Sequence, residues 1–212
     1  MKNHLLLVQI VLTLTILSTS CRKNVREAET GEAETVTAGR TYSETYKALP
    51  SESTITWSGY KPTGSHTGNI DLSHGEFTIN DGTIESGTFT IDMTTIKDSE
   101  RNAKLEKHLK SDDFLHVEKH PVSIFKITDI EDINGKTFLS GNLTLKDTTN
   151  NVSFPVSVIH NGDSIILNSE TFTIDRSKWN VKYGSRTFFD NLGDKYINDD
   201  IELTIVVKGT KA

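Results

Sequence analysis

The sequence predicts an all-β fold, an antiparallel barrel of about eight strands with one short helical insert. Three observations predict it. Apolar and polar residues alternate with period two over most of the chain between Ser53 and Lys208, as in strands that bury one face. Asp81-Gly82, Asn134-Gly135 and Asn161-Gly162 stand between alternating runs, and residues that tolerate positive φ at such places make tight hairpins and antiparallel neighbours. Ser99 to Lys110 alone carries good helix formers, with Ala103, Leu105 and Leu109 spaced for a short helix.

The composition bounds the rest. At 212 residues, 34% hydrophobic, the chain suits one β domain with extra segments. Lys and Arg number 23 against 29 Asp and Glu, for a net charge of -6, and no RNA-binding aromatic motif is present. No nucleic-acid partner is expected on that balance. The single cysteine rules out an intramolecular disulfide.

Met1-Lys2-Asn3-His4 is a short positive segment, Leu5 to Leu17 is an apolar run, and Ser18-Thr19-Ser20 are small residues ahead of Cys21. That order predicts a bacterial lipoprotein signal over residues 1–20, with Cys21 as the lipid-modified first residue of the mature chain. The expected place is the bacterial cell envelope, lipid-anchored and periplasmic or outer-membrane associated. A free thiol after an uncleaved segment is the alternative. Residues 21–50 are rich in Glu, Thr, Arg, Ala and Gly without apolar periodicity, and are expected to form a flexible tether with an end-to-end distance on the order of 30 Å. The barrel domain is assigned to residues 51–212.

Ile55 and Trp57 share a face of the first strand, with Thr54, Thr56 and Ser58 opposite. Lys61 to Gly68 reads as a loop, since its proline and glycines break pairing. Ile70 and Leu72 lie on one parity and Phe77 and Ile79 on the other, so a bulge is expected at Ser73-His74-Gly75. Phe89, Ile91 and Met93 form the inward face of the next strand. The helical insert should end at Asp112-Asp113, with Phe114 just beyond and Pro121 fixing where the next strand begins. The segment is expected to close one end of the barrel.

Ile124 to Ile127 resumes β structure, and Leu139, Leu143 and Leu145 point one way along the strand after Asn134-Gly135. Asp147 to Asn151 is expected to turn. Val152, Phe154, Val156 and Val158 alternate, and Pro155 among them demands a free or bulged edge. Ile165 to Ile174 is one strand. Arg176 to Lys195 loses the alternation, and its Trp179, Tyr183, Phe188 and Phe189 predict a packed loop. Ile201, Leu203, Ile205 and Val207 make the last strand, ending near Lys208.

Several segments in order carry a resemblance to a known family: Trp57-Ser58-Gly59-Tyr60-Lys61, Gly64 to Gly68, His108 to Phe114, His120-Pro121, Gly141 to Leu145, and Ile174 to Ser177. Together they resemble the YceI-like family, over about Ser53 to Gly209. The resemblance implies an extended, lipocalin-like antiparallel barrel whose apolar interior binds polyisoprenoids and related lipids, and a homodimer is a further possibility it carries.

The residues expected to line such an interior are Trp57, Phe77, Phe89, Ile91, Phe125, Leu143, Leu145, Val156, Phe172 and Ile174. A filled core, in which these side chains meet across the axis, is the alternative that periodicity leaves open. Lys61, His66 and Arg176 are the polar candidates for a lipid head at the mouth, where the two cations would donate charge-assisted hydrogen bonds to a phosphate or quinone oxygen. Solvated loop positions are the alternative for Lys61 and Arg176, and a loop imidazole holding backbone carbonyls is the alternative for His66.

His108, His116 and His120, near Asp112, Asp113 and Glu118, are spaced by eight and four residues across a helix end and a turn. Nothing places them on one face, so no metal site is expected. No cofactor is expected either. The chain lacks a Gly-x-Ser-x-Gly elbow, a phosphate-binding glycine loop and a dinucleotide fingerprint. No enzyme is expected, although plentiful carboxylates leave an acid-base pair open. The expected function is non-catalytic binding, carriage or sequestration of an isoprenoid lipid of polyprenol or quinone type. The alternative is a structural or protein-binding surface lipoprotein with a filled core.

Overall fold

The computed structural model describes residues 25–36, 38–40 and 42–212, so the predicted signal segment and Cys21 lie outside the described residues. In chain order the elements are β1 (Arg26–Glu27), β2 (Glu29–Glu32), β3 (Glu44–Ala48), β4 (Thr54–Lys61), β5 (Gly64–Asn80), β6 (Thr83–Asp98) and α1 (Ala103–Lys110). Then follow β7 (Val122–Ile133), β8 (Lys136–Leu145), β9 (Thr148–Asn161), β10 (Ser164–Ser169), β11 (Phe172–Asp175) and β12 (Asp200–Lys211). A ring of eight strands closes the barrel: β4, β5, β6, β7, β8, β9, β10 and β12 pair in sequence, and β12 returns to β4 with Leu203 opposite Trp57. The all-β barrel with one helix is therefore the fold.

The hairpins follow the local chemistry. Asp81 and Gly82 both have positive φ, at 49° and 77°, as do Asn134 and Gly135 at 54° and 76°, the geometry of a type I′ turn. The register of β5 against β6 slips between Leu72 and His74, which is the bulge the parity change requires. Pro155 sits where the outer edge of β9 passes from one neighbour to another, between Ser153 and Val156. A residue without an N–H fits there.

Other expectations are corrected. Residues 64–68 are strand, paired with residues 57–61, so the predicted loop shrinks to Pro62-Thr63. Gly68 is needed there for close packing: a Cβ would lie 1.8 Å from the Lys97 carbonyl oxygen and 2.7 Å from Trp57 Cζ2. The turn placed at Asp147–Asn151 is only Lys146-Asp147, Lys146 taking φ 57°. The helix is capped by Asn102 Oδ1, which accepts from Leu105 N, and ends at Ser111, whose N–H and hydroxyl both donate to the His108 carbonyl. Ser111, not the Asp112-Asp113 pair, stops it. The strand expected from Ile165 to Ile174 is split by Glu170-Thr171 into β10 and β11.

The expected tether is also different. Among the described residues of the 21–50 range, three stretches are strands: β3 pairs with β5 and β12, β2 with β9, and β1 with β11. β1 and β2 fill the wedge that opens where β11 parts from β9. A segment added to existing edges needs backbone hydrogen bonds and a few anchors, not an apolar period of its own. Ala28 and Tyr46, both buried, are the anchors. Asn142 adds a clamp, its Oδ1 accepting from Glu34 N at 2.9 Å and its Nδ2 donating to Glu34 O at 2.7 Å.

Candidate functional site

The two ends of the barrel differ. One is filled by Tyr46, Phe77, Ile79, Ile84, Ile127 and Ile165, all buried. Phe77 stacks between Tyr46 and Phe89, at ring distances of 5.7 and 5.8 Å. It fits because Gly87 opposite has no side chain; a Cβ there would be 2.7 Å from Phe77 Cβ. Beyond Phe89 the rings of Phe125, Phe154 and Phe172 continue the series, the last two stacked at 4.2 Å.

Above this floor lies a cavity of about 470 Å³. Its wall takes inward positions from every strand of the ring: Ile55 and Trp57 of β4, Ile70 and Leu72 of β5, Phe89, Ile91, Met93 and Ile96 of β6, Phe125 of β7, Leu139, Leu143 and Leu145 of β8, Val152, Phe154 and Val156 of β9, Leu167 of β10, and Ile201, Leu203, Ile205 and Val207 of β12. Phe172 and Ile174 of β11 complete it, and Leu105 and Leu109 of α1 with Phe114 and Leu115 cover its side near the mouth. Ile70, Ile91, Phe125 and Leu143 keep partial exposure, although they point inward. Their free surface is cavity surface, so the filled-core alternative does not describe the interior.

Twelve of the thirteen positions singled out from the sequence line this cavity: Trp57, Lys61, His66, Phe89, Ile91, Phe125, Leu143, Leu145, Val156, Phe172, Ile174 and Arg176. Phe77 does not. It points inward but lies at the filled end, as core. The mouth is bounded by the β4–β5 turn, α1 and the segment from Arg176 to Asp199, with Lys61, His66, His108, Tyr183, Lys195 and Asn198 around it. Tyr183, Lys195, Ile197 and Asn198 had no signal in the alternation, because they belong to an irregular segment. That segment is packed only in part. Trp179 is fully buried, its Nε1 donating to the Leu143 carbonyl at 2.9 Å, whereas Tyr183, Phe188 and Phe189 are exposed at 43%, 37% and 48%.

Arg176 has a different task from the one its charge suggests. Its side chain is fully buried, with Nε donating to Asn198 O at 3.1 Å, Nη1 to Val181 O at 2.6 Å and Nη2 to Ile197 O at 3.1 Å. Nη2 also pairs with Asp199 Oδ1 at 3.1 Å, and the guanidinium lies over the Phe114 ring at 5.3 Å. Burial pushes its pKa down, opposed by Asp199 and Asp175. Most of its donors are spent on the mouth segment, so it fixes the rim in place.

Lys61 is exposed at the rim. His66 is half-buried, with Nδ1 3.4 Å from Asp98 Oδ1. Trp57 Nε1 is buried without a hydrogen-bond partner on a mostly apolar wall, whose other polar side chains include Ser123 and Ser169. The three histidines of the helical insert do not converge. His116 and His120 face each other at 5.8 Å, and His108 packs edge-on to Tyr183 at 4.4 Å.

The model of the YceI-like domain matches residues 46–209. The chain belongs to the YceI-like family. Among relatives it is 30% identical over 96 residues to a UPF0312 protein of Pseudomonas aeruginosa, covering 45% of this chain and 50% of that one. The chain thus spans about half the length of that relative. A UPF0312 protein of Pectobacterium atrosepticum is 26% identical over 144 residues, or 68% of this chain and 73% of the relative. Solved structures share the fold. Burkholderia cenocepacia BcnA aligns with a TM-score of 0.65 at 20% identity, over 77% of this chain and 99% of that one. A polyisoprenoid binding domain from Saccharophagus degradans aligns with a TM-score of 0.60 at 13% identity, over 79% and 98% of the two chains. The YceI-like barrel is the architecture common to them.

Proposed function

We propose that this YceI-like protein binds an isoprenoid-type lipid, of polyprenol or quinone class, and carries or sequesters it without chemical change. The observation that carries the reading is the apolar cavity of about 470 Å³ with a polar rim at one end, a size within the roughly 300–1,000 Å³ of small-molecule sites. The tail lies along the barrel and the head meets Lys61 and His66 at the rim. The unpartnered indole N–H of Trp57 offers a hydrogen bond to a head oxygen. The Saccharophagus structure, a polyisoprenoid binding domain, supports the class of ligand.

Transfer energetics favour carriage over scavenging. An isoprene unit gains on the order of 3–4 kcal/mol on leaving water, at about 0.8 kcal/mol per carbon. A tail already in a bilayer has little of that to gain, so selectivity rests on cavity shape and rim contacts. We also propose that Cys21 is lipidated and holds the protein in the bacterial envelope, where its ligand is concentrated.

Organic extraction of protein purified from envelopes, followed by mass spectrometry, tests the first reading. A co-purifying isoprenoid is expected, and Ile91→Trp, which places an indole in the cavity, should lower its yield at least about tenfold, as loss of shape complementarity does in packed sites. An empty wild-type barrel that takes up no added polyprenol or quinone overturns it. For the anchor, Cys21→Ser should release the protein from membranes into the soluble fraction; an unchanged distribution would refute lipidation.

A further inference from the structure

We propose that His66, Asp98 and Glu100 form a three-ligand site for a divalent transition-metal ion of the zinc class, at the rim of the cavity. One ligand atom from each of the three lies within 4.8 Å of the others. Pairing of β5 with β6 builds the site. Gly68 stands opposite Asp98, and Ser99 N donates to Thr67 O at 2.8 Å, which brings the last residue of β6 beside His66. The chain then folds back because Asp98 Oδ2 accepts from Glu100 N at 3.1 Å and Asn102 N at 3.2 Å. The Glu100 carboxylate returns to the same place.

The other Asp98 oxygen points to a ligand. The Asp98 side chain is 1% exposed, its Oδ1 has no hydrogen-bond partner, and it faces His66 Nδ1, which is likewise buried and unbonded. Leaving a carboxylate oxygen so placed is costly unless something compensates it. The separation of 3.4 Å is long for an imidazolium donating to a carboxylate, which closes to about 2.7–2.9 Å. A tetrahedral ion with bonds of about 2.0–2.1 Å holds its ligand atoms about 3.3–3.4 Å apart. The His66–Asp98 spacing fits the ion, and Glu100, within 4.8 Å of both, closes on it when the ion binds.

The donor set selects the metal. One imidazole nitrogen with two carboxylates suits zinc, cobalt, manganese or iron, whereas calcium and magnesium take oxygen alone. Glu100 is exposed and His66 lines the cavity, so a fourth position opens on the rim, for water or for an anionic oxygen. The site stands whether or not the cavity holds a lipid. It escapes sequence spacing because its histidine and its carboxylates come from opposite ends of the β5–β6 hairpin.

Tag-free full-length protein, stripped with EDTA, should be titrated with Zn²⁺ by calorimetry and with Co²⁺ by visible absorption. One ion per chain in the micromolar range is expected, with a Co²⁺ spectrum of low coordination number and a higher unfolding temperature on adding Zn²⁺. His66→Gln and Glu100→Gln should each weaken binding about tenfold or more and abolish the thermal shift. Asp98→Asn should do the same while retaining an oxygen for the two backbone donors; if that variant fails to fold, the other two decide. No stoichiometric binding, or binding that survives His66→Gln and is lost in the His116→Gln, His120→Gln double variant, overturns the proposal. Lipid extraction from Glu100→Gln separates it from the cavity reading, since Glu100 does not line the cavity and a tail held by the apolar wall should still co-purify.

Discussion

Arg176 is a charged residue with no access to water, held by three carbonyls and Asp199. Replacing it with methionine keeps volume but leaves those acceptors unpaired, and should destabilise the fold by about 3–5 kcal/mol, read as a lower urea midpoint. His120 gives a pH effect of defined sign. Burial, then the charge of Lys119, lowers its pKa below the ordinary 6.5. As pH falls through 6.5 the unfolded chain takes up a proton that the folded chain resists, so stability declines until the folded imidazole also titrates. His120→Gln should remove that part of the acid sensitivity, measured as the change in urea midpoint between about pH 7.5 and 5. At this scale, parity in the sequence told which face Phe89, Ile91 and Phe172 occupy, and all three line the cavity. It told the same of Phe77, which lies at the filled end instead. Parity sets the face of a strand; height along the axis is set by the stagger of all the strands, which no local pattern encodes.

Among elements, the hairpins were the most legible, because Asp81-Gly82 and Asn134-Gly135 take the backbone angles that those residue pairs favour. β1 and β2 were not legible. Their order is borrowed from the free edges of β9 and β11, and the stretch from Arg26 to Glu32 holds one buried apolar side chain, Ala28, between the two strands. The Asn142 clamp on Glu34 is correspondingly important. Asn142→Ala should cost about 1–3 kcal/mol, the usual range for unmaking buried hydrogen bonds. Hydrogen exchange should show the backbone amides of residues 28–34 losing protection while those of β5 and β6 keep theirs. The rim segment was illegible for another reason: Ile197 and Asn198 are placed by the Arg176 hub and Tyr183 by its edge-on contact with His108, a tertiary arrangement with no period to detect.

For the whole molecule, closure joins distant parts of the chain, residues 54–59 with residues 201–206. Such pairing should make refolding slow, in the range of milliseconds to seconds by stopped-flow fluorescence of Trp57 and Trp179. The cavity leaves wall surface uncovered, which costs packing that a bound tail restores. Delipidated protein should therefore unfold at lower temperature, and a saturating ligand at about 100 times its dissociation constant should recover about 2.7 kcal/mol.

The stitching of β1 to β11 bears on the lipidated Cys21 proposed above. Arg26 is already opposite Phe172, so only residues 22–25 separate that cysteine from the barrel wall. Covalent geometry limits such a mooring to about 18 Å. The barrel would ride close against the bilayer, tied by its flank, with little freedom to swing.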